Sequence, residues 1–223
     1  MTKLTFFSGE KSFLLDELPI LSFVCESKSL LLDYCDYLFN EFIGKERYWK
    51  LEIDGEVEEL FEKGDFIPNY FQLDLNSKRN INALYKILKK LYYEKLSDSM
   101  EELKEKALSI VKEIALDFDI ELSVNNDIKE DDLFKIMNLQ FSDDGLSYKE
   151  KLIKYIFITN ELRGVNIFFV VNFHRYFSDD EANEILKELS YRRIRLVNLE
   201  YDQDFGKYDG ESLLLVDQDL CVF

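Results

Sequence analysis

The chain has 223 residues, enough for one domain with an insertion or for two small domains. Hydrophobic residues make up 47% and aromatics 15%, which supports a packed core and excludes a disordered chain, while eight Gly and two Pro disfavour a turn-rich all-β fold. The formal charge of −17 sets up a field that repels nucleic acid and anionic membrane, unless basic residues are segregated or cations intervene.

The first 75 residues alternate short apolar strands with one helix. Strands are predicted over Lys3 to Phe7, Ile20 to Cys25, Tyr48 to Ile53 and Tyr70 to Leu75, with a helix from Lys28 to Ile43. Helical periodicity takes over at Ser77. Ile81, Leu84, Leu88 and Leu91 follow a 3-4-3 spacing that places one apolar stripe on a helix. A second helix is predicted from about Ser99 to Leu116, with Leu103, Ala107, Ile110, Val111 and Ile114 facing inward. A short helix follows from Asp131, and another spans about Tyr148 to Leu162.

Strand texture returns at Val165 to Asn172, a nearly continuous apolar run that suits a central strand covered on both faces. Ser178-Asp-Asp-Glu181 has the form of a capping box and opens a helix to about Leu189. Arg193 to Leu199 is the next strand, so this span is a βαβ unit with parallel pairing. Leu213 to Val216 and Leu220 to Val222 are short closing strands. The expected organisation is an α/β domain (residues 1–75 and 161–223) interrupted by a helical insertion (residues 76–160).

Where the second strand meets the first helix, Ser22 to Ser29 trace the outline of a phosphate-binding loop: Ser-Phe-Val-Cys-Glu-Ser-Lys-Ser. Lys28 and Ser29 are in place, but Ser22 and Ser27 hold both glycine positions. Those glycines let backbone N–H groups close around a phosphate, so their loss argues against the cradle. Ser-Lys-Ser is also ordinary capping at a helix start. A working ATPase needs an acid at the end of a neighbouring strand to hold magnesium, and the best strand ends in Asn172. Two requirements fail together, so no enzymatic activity is expected. The competing readings are a divergent P-loop NTPase using Lys28 and Ser29, and an acidic protein-interaction module that never touches DNA.

Cys25, Cys35 and Cys221 show no paired spacing, which fits a reducing compartment. There is no signal peptide and no apolar run near about 18 residues, so a soluble, cytoplasmic protein without a membrane partner is expected. The single histidine, His174, follows a strand end with no nucleophile elbow nearby and reads as structural.

Residues 78–95 carry six cations against the single acid Glu94. At 100° per residue, Arg79, Lys86 and Lys90 cluster opposite the apolar stripe, and Lys78 and Lys89 flank them. A basic stripe on an acidic chain suits contact with phosphate backbone without reading of bases; a solvated helix face has the same composition. Arg192 and Arg193 belong to a second basic cluster, Tyr191 to Arg195, which could equally stabilise the end of the preceding helix. The opposite excess lies between 117 and 132, rich in oxygen ligands and without His or Cys. This suits a calcium site or a solvated acidic loop, and it lacks the pattern of an EF-hand.

The chain resembles the short form of the type II-A CRISPR adaptation accessory proteins. The resemblance covers the whole order of elements. It is clearest in Asn166-Ile-Phe-Phe-Val-Val-Asn-Phe-His-Arg-Tyr-Phe-Ser-Asp-Asp-Glu-Ala and in Arg193-Ile-Arg-Leu-Val-Asn-Leu-Glu. It implies a degenerate P-loop-ATPase-like α/β head with an inserted helical leg, without ATPase activity. It further implies a calcium-supported homotetrameric ring that threads duplex DNA from free ends through a basic hole, and work alongside the adaptation integrase and the effector nuclease in spacer acquisition. The family's metal ligands would fall near Asp119, Glu121 and Asp127, with Glu130 and Asp131 as further candidates.

Overall fold

The computed structural model describes residues 1–6, 12–16, 19–95, 97–116, 129–201, 208 and 210–217, without the side chains of residues 94 and 95. In chain order the elements are β1 (Thr2–Phe6), β2 (Ser12–Leu14), β3 (Ile20–Cys25), α1 (Lys28–Phe42), β4 (Trp49–Ile53), β5 (Glu56–Glu58), α2 (Leu60–Lys63) and β6 (Gly64–Ile67). A 3₁₀ turn at Tyr70–Gln72 precedes α3 (Lys78–Lys95), α4 (Ser97–Ala115), α5 (Glu130–Ile136) and α6 (Tyr148–Arg163). The chain continues through β7 (Ile167–Val171), α7 (Phe173–Tyr176), α8 (Asp179–Tyr191), β8 (Arg195–Tyr201) and β9 (Glu211–Val216).

Five of the strands form one parallel sheet in the order β6-β7-β8-β3-β9. Strand β7 is buried at every position, as its unbroken apolar run requires, and it pairs in parallel with β8 across α7 and α8. Side chains alternate across the sheet. Leu21, Phe23, Val197 and Leu199 join Leu30, Tyr34 and Leu38 of α1 on one face. Ile20, Phe168, Val170 and Leu196 join Leu152 and Ile156 of α6 and Ile185 and Leu189 of α8 on the other. Ser178 caps α8 in the predicted capping box, its Oγ accepting from the Glu181 N–H.

The first strand does not enter this sheet. It forms a separate antiparallel sheet in the order β2-β1-β4-β5, which packs through Leu4, Trp49 and Leu51 against the α1 side of the core. Strands β4 and β5 are joined by Asp54-Gly55, both at positive φ, the conformation a tight hairpin demands. The strand predicted over Tyr70 to Leu75 is instead the 3₁₀ turn, opened by the Asn69 side chain accepting from the Phe71 N–H. Its place in the sheet is taken by β6, which ends just before Pro68. Gly64 opens that strand in close quarters: a Cβ there would lie 2.9 Å from the Leu60 carbonyl oxygen. The strand predicted from Arg193 starts two residues later, because Arg193 itself sits at φ 57°. The strand predicted over Leu220 to Val222 lies outside the described residues.

The chain divides into two compact units, residues 1–75 with 143–223, and residues 76–142. Helix α6, placed by sequence in the insertion, belongs to the first unit because Leu152 and Ile156 pack on the sheet. The second unit holds α3, α4 and α5. There the predicted inward stripe of α4 is not buried: Leu103, Ile110, Val111 and Ile114 are 46–56% exposed, and Met100 is the buried position of that helix.

Candidate functional site

The would-be phosphate loop is mostly strand. Ser22 lies inside β3, fully buried, and its hydroxyl donates to Glu211 Oε1 at 2.5 Å. Only Glu26 and Ser27 separate β3 from α1. The Glu26 N–H is spent on the Val216 carbonyl, and Ser27 Oγ accepts from the Leu30 N–H at 3.2 Å, an ordinary cap. Lys28 Nζ sits over the Tyr201 ring, 5.5 Å from its centroid, and Ser29 is exposed on the first turn. This two-residue turn is shorter than the glycine-rich loop that a phosphate-binding motif places between strand and helix. Asn172 ends β7 at φ 55° and donates its N–H to the Leu199 carbonyl.

The basic helix is α3. Its inner side is formed by half-buried Ile81, Leu84, Tyr85 and Leu88 and by buried Tyr92. Leu91, assigned to that stripe from its spacing, is 42% exposed, because Tyr92 completes the 3.6-residue period in its place. The Tyr85 hydroxyl donates to the Leu139 carbonyl and its ring contacts Phe134 of α5. Lys78, Arg79, Lys86 and Lys90 project into water on the remaining surface. Lys89 does not share that freedom. It is half-buried and its Nζ lies 2.9 Å from Asp131 Oδ1 on α5, a hydrogen bond that raises its pKa above the usual lysine value.

That contact joins two groups which sequence reasoning assigned to different sites, DNA and metal. Asp131 and Glu130 both lie in the first turn of α5, where carboxylates favour the helix dipole. Asp132 accepts from the Lys129 N–H in the same turn and pairs with Lys135. Asp119, Glu121 and Asp127 lie outside the described residues. Calcium takes six to eight oxygens. Glu130 and Asp131 do not by themselves supply such a set, and among the described residues no group of three or more His, Cys, Asp and Glu side chains is disposed to hold a metal.

Arg192 and Arg193 belong to the first unit. Arg192 caps α8 and lays its guanidinium over the Phe157 ring at 4.0 Å, a cation–π contact within the fold. Arg193 is exposed on the turn into β8 and borders a pocket of about 460 Å³ together with Arg195, Asn166, Asp16 and Asp54. Arg195 is committed to the segment that follows β2, donating to the Leu15 and Asp16 carbonyls at 2.6 Å.

A buried polar network under α7 went unnoticed in the sequence. His174, 2% exposed at its side chain, bridges two fully buried carboxylates, with Nε2 at 3.1 Å from Glu211 and Nδ1 at 3.5 Å from Glu200. Asn198 Nδ2 reaches Ser22 and Glu200, and Arg175 Nε lies 3.3 Å from the second oxygen of Glu200. The Tyr208 ring stacks on the imidazole at 4.7 Å, and its N–H donates to Glu211. Hydrogen bonds to both carboxylates outweigh the burial that would otherwise strip the proton, and the imidazole pKa rises to about 9. The sequence signal was there: Ser22, Asn198 and Glu200 are polar residues on one face of otherwise apolar strands.

No helix among the described residues is long and apolar enough to cross a membrane. A family model described as CRISPR-associated protein (Cas_Csn2) matches residues 52–220, which include α3, the Asn166 to Ala182 stretch and the buried network apart from Ser22. No curated protein matches the chain. The chain belongs to this CRISPR-associated family.

Proposed function

We propose that this member of the Cas_Csn2 family is a non-catalytic protein that binds the ends of duplex DNA without reading sequence and assists spacer acquisition in the cytoplasm. The observation that carries the reading is the exposed cationic side of α3, where Lys78, Arg79, Lys86 and Lys90 face water on a chain of charge −17. Cations segregated in this way contact phosphates, whose neutralisation releases counterions and drives binding that weakens with salt.

The rest of the resemblance is part of the same reading. The parallel sheet, with β3 between β8 and β9 and a helix following it, supports a head of P-loop-ATPase type. The two-residue turn and Asn172 at the end of β7 support a head that does not hydrolyse nucleotide. The compact unit of α3, α4 and α5 serves as the leg. Four copies form a ring, calcium bound by Asp119, Glu121 and Asp127 with help from Glu130 supports it, and the adaptation integrase and effector nuclease are its partners. Arg192 and Arg193 play a lesser part in DNA binding than α3, since Arg192 is engaged by Phe157.

A gel-shift of one duplex in linear and covalently closed forms, run with calcium and with chelator, tests this. Linear DNA is retained only with calcium, and closed DNA is not. Reversing Arg79, Lys86 and Lys90 to Glu removes the retention, and removing single cations makes the dependence of log K on log salt shallower by about one unit per lost phosphate contact. Equal retention of closed circles sinks the threading reading, and no retention in any lane sinks the DNA reading.

A further inference from the structure

Four aromatic rings from three separate segments meet on the surface of the first unit. Tyr70 and Phe71 come from the 3₁₀ turn after β6, Tyr148 from the first residue of α6 and Tyr176 from the last residue of α7. Phe71 stands edge-on to Tyr148 at 4.9 Å and to Tyr176 at 5.6 Å, and Tyr176 meets Tyr70 at 4.9 Å. Tyr70 is buried and forms the floor, whereas Phe71, Tyr148 and Tyr176 are 56%, 57% and 48% exposed. Rings held in mutual contact yet half in water form a rigid apolar surface of the kind that partners use.

The charges carried by the chain segments that supply these rings select the partner. Asp144 lies just before Tyr148, and Asp179 and Asp180 follow Tyr176; all three are exposed and make no ion pair among the described residues. The cations in the same segments are already engaged. Lys149 Nζ is 2.5 Å from Glu184, Lys151 is paired with Asp143, and Arg175 is held by Glu200 and by the Tyr201 carbonyl. The faces of aromatic rings attract cations, and unpaired carboxylates add to that attraction. The same carboxylates repel a phosphate backbone, which disfavours nucleic acid as the occupant.

We propose that the Phe71–Tyr148–Tyr176 patch is a docking surface for a partner protein segment that presents Arg or Lys side chains to the rings. This goes beyond DNA binding and uses a different part of the chain from α3.

The test uses fluorescein-labelled octa-arginine, with octa-glutamate as control, and reads anisotropy on the full chain. The comparison is between the wild type and Phe71→Leu/Tyr176→Leu, which keeps apolar bulk at two exposed positions but removes their rings. The wild type binds octa-arginine and not octa-glutamate; the double variant binds about tenfold more weakly; Asp179→Asn/Asp180→Asn also weakens binding. Both variants keep the retention of linear duplex DNA shown by the wild type, so the two readings fail separately. Equal octa-arginine affinity in the leucine variant overturns the proposal, since the general acidity of the chain would then suffice. Binding of single-stranded oligothymidine that the leucine variant loses overturns it too, by making the patch a base-stacking surface.

Discussion

In the first unit the parallel sheet carries an apolar cluster on each face, and even its charged residues Glu200 and Glu211 are buried with partners. In the second unit the buried positions among the described residues are Asn80, Tyr92 and Met100, while most of the apolar side of α4 faces water. The first unit therefore holds its stability in its own interior. Among its described residues the second has few buried positions and leans more on helix propensity and local pairs, with apolar and basic side chains exposed on α4 and α3.

The sharpest way to break this comparison is to truncate one apolar side chain in each unit. Phe169 is fully buried in β7 against Phe42 and Trp49, so Phe169→Ala costs about 3–5 kcal/mol through lost transfer energy and a cavity. Ile110 on α4 is 51% exposed, and Ile110→Ala changes stability by only about 0.5 kcal/mol. Urea midpoints of dilute protein measure both. Equal losses would show that α4 is packed in solution.

The buried network makes the next largest difference, and one that depends on pH. The imidazole of His174 is raised from an ordinary value of 6.5 to about 9 in the folded chain. A group raised on folding contributes its full stability below its unfolded pKa and loses it as pH rises through the folded one. The contribution of His174 is therefore complete below about pH 6.5 and gone above about pH 9. It amounts to up to about 3 kcal/mol from the size of that shift. Glu211 works in the opposite sense. Its bonds to His174, Ser22 and the Tyr208 N–H overcome desolvation and lower its pKa, so its contribution is present above 4.5 and lost on acidification. Stability measured against pH for wild type and His174→Gln isolates the histidine. Burial pushes Glu41 up to about 7, but Glu41 titrates in both proteins and cancels in the difference. A difference that stays flat from pH 6 to 9 would mean that folding does not shift the imidazole pKa.

How much of this the sequence disclosed depends on how local each determinant is. Strand β7 was legible because five consecutive apolar residues need cover on both faces, and α8 because Ser178 and Glu181 cap it within one turn. Strand β6 was not legible. Its Gly-Asp-Phe-Ile has two apolar residues, and its inward Asp65 is satisfied by the Tyr155 hydroxyl at 2.7 Å and by Arg163, about ninety residues away. The β4–β5 hairpin could have been read from Asp54-Gly55, a turn pair with a known mechanism. Of the candidate site, the exposed cations of α3 follow from helical spacing alone. The pairing of Lys89 does not, because Asp131 reaches it from another helix.

That pairing gives the smallest expected effect and the finest test. Lys89 and Lys86 are one helical turn apart and equal in charge, and the sequence offers both as DNA-binding candidates. The structure separates them: Lys86 is exposed, whereas Lys89 is half-buried with its ammonium on Asp131. Lys86→Ala should weaken retention of linear duplex DNA and flatten its salt dependence, and Lys89→Ala should do less of both. Asp131→Asn should move the other way, freeing the Lys89 ammonium to meet phosphate and strengthening binding at low salt. If Lys89→Ala matched Lys86→Ala and Asp131→Asn had no effect, the pair would be open in solution and α3 would act as one uniform cationic face.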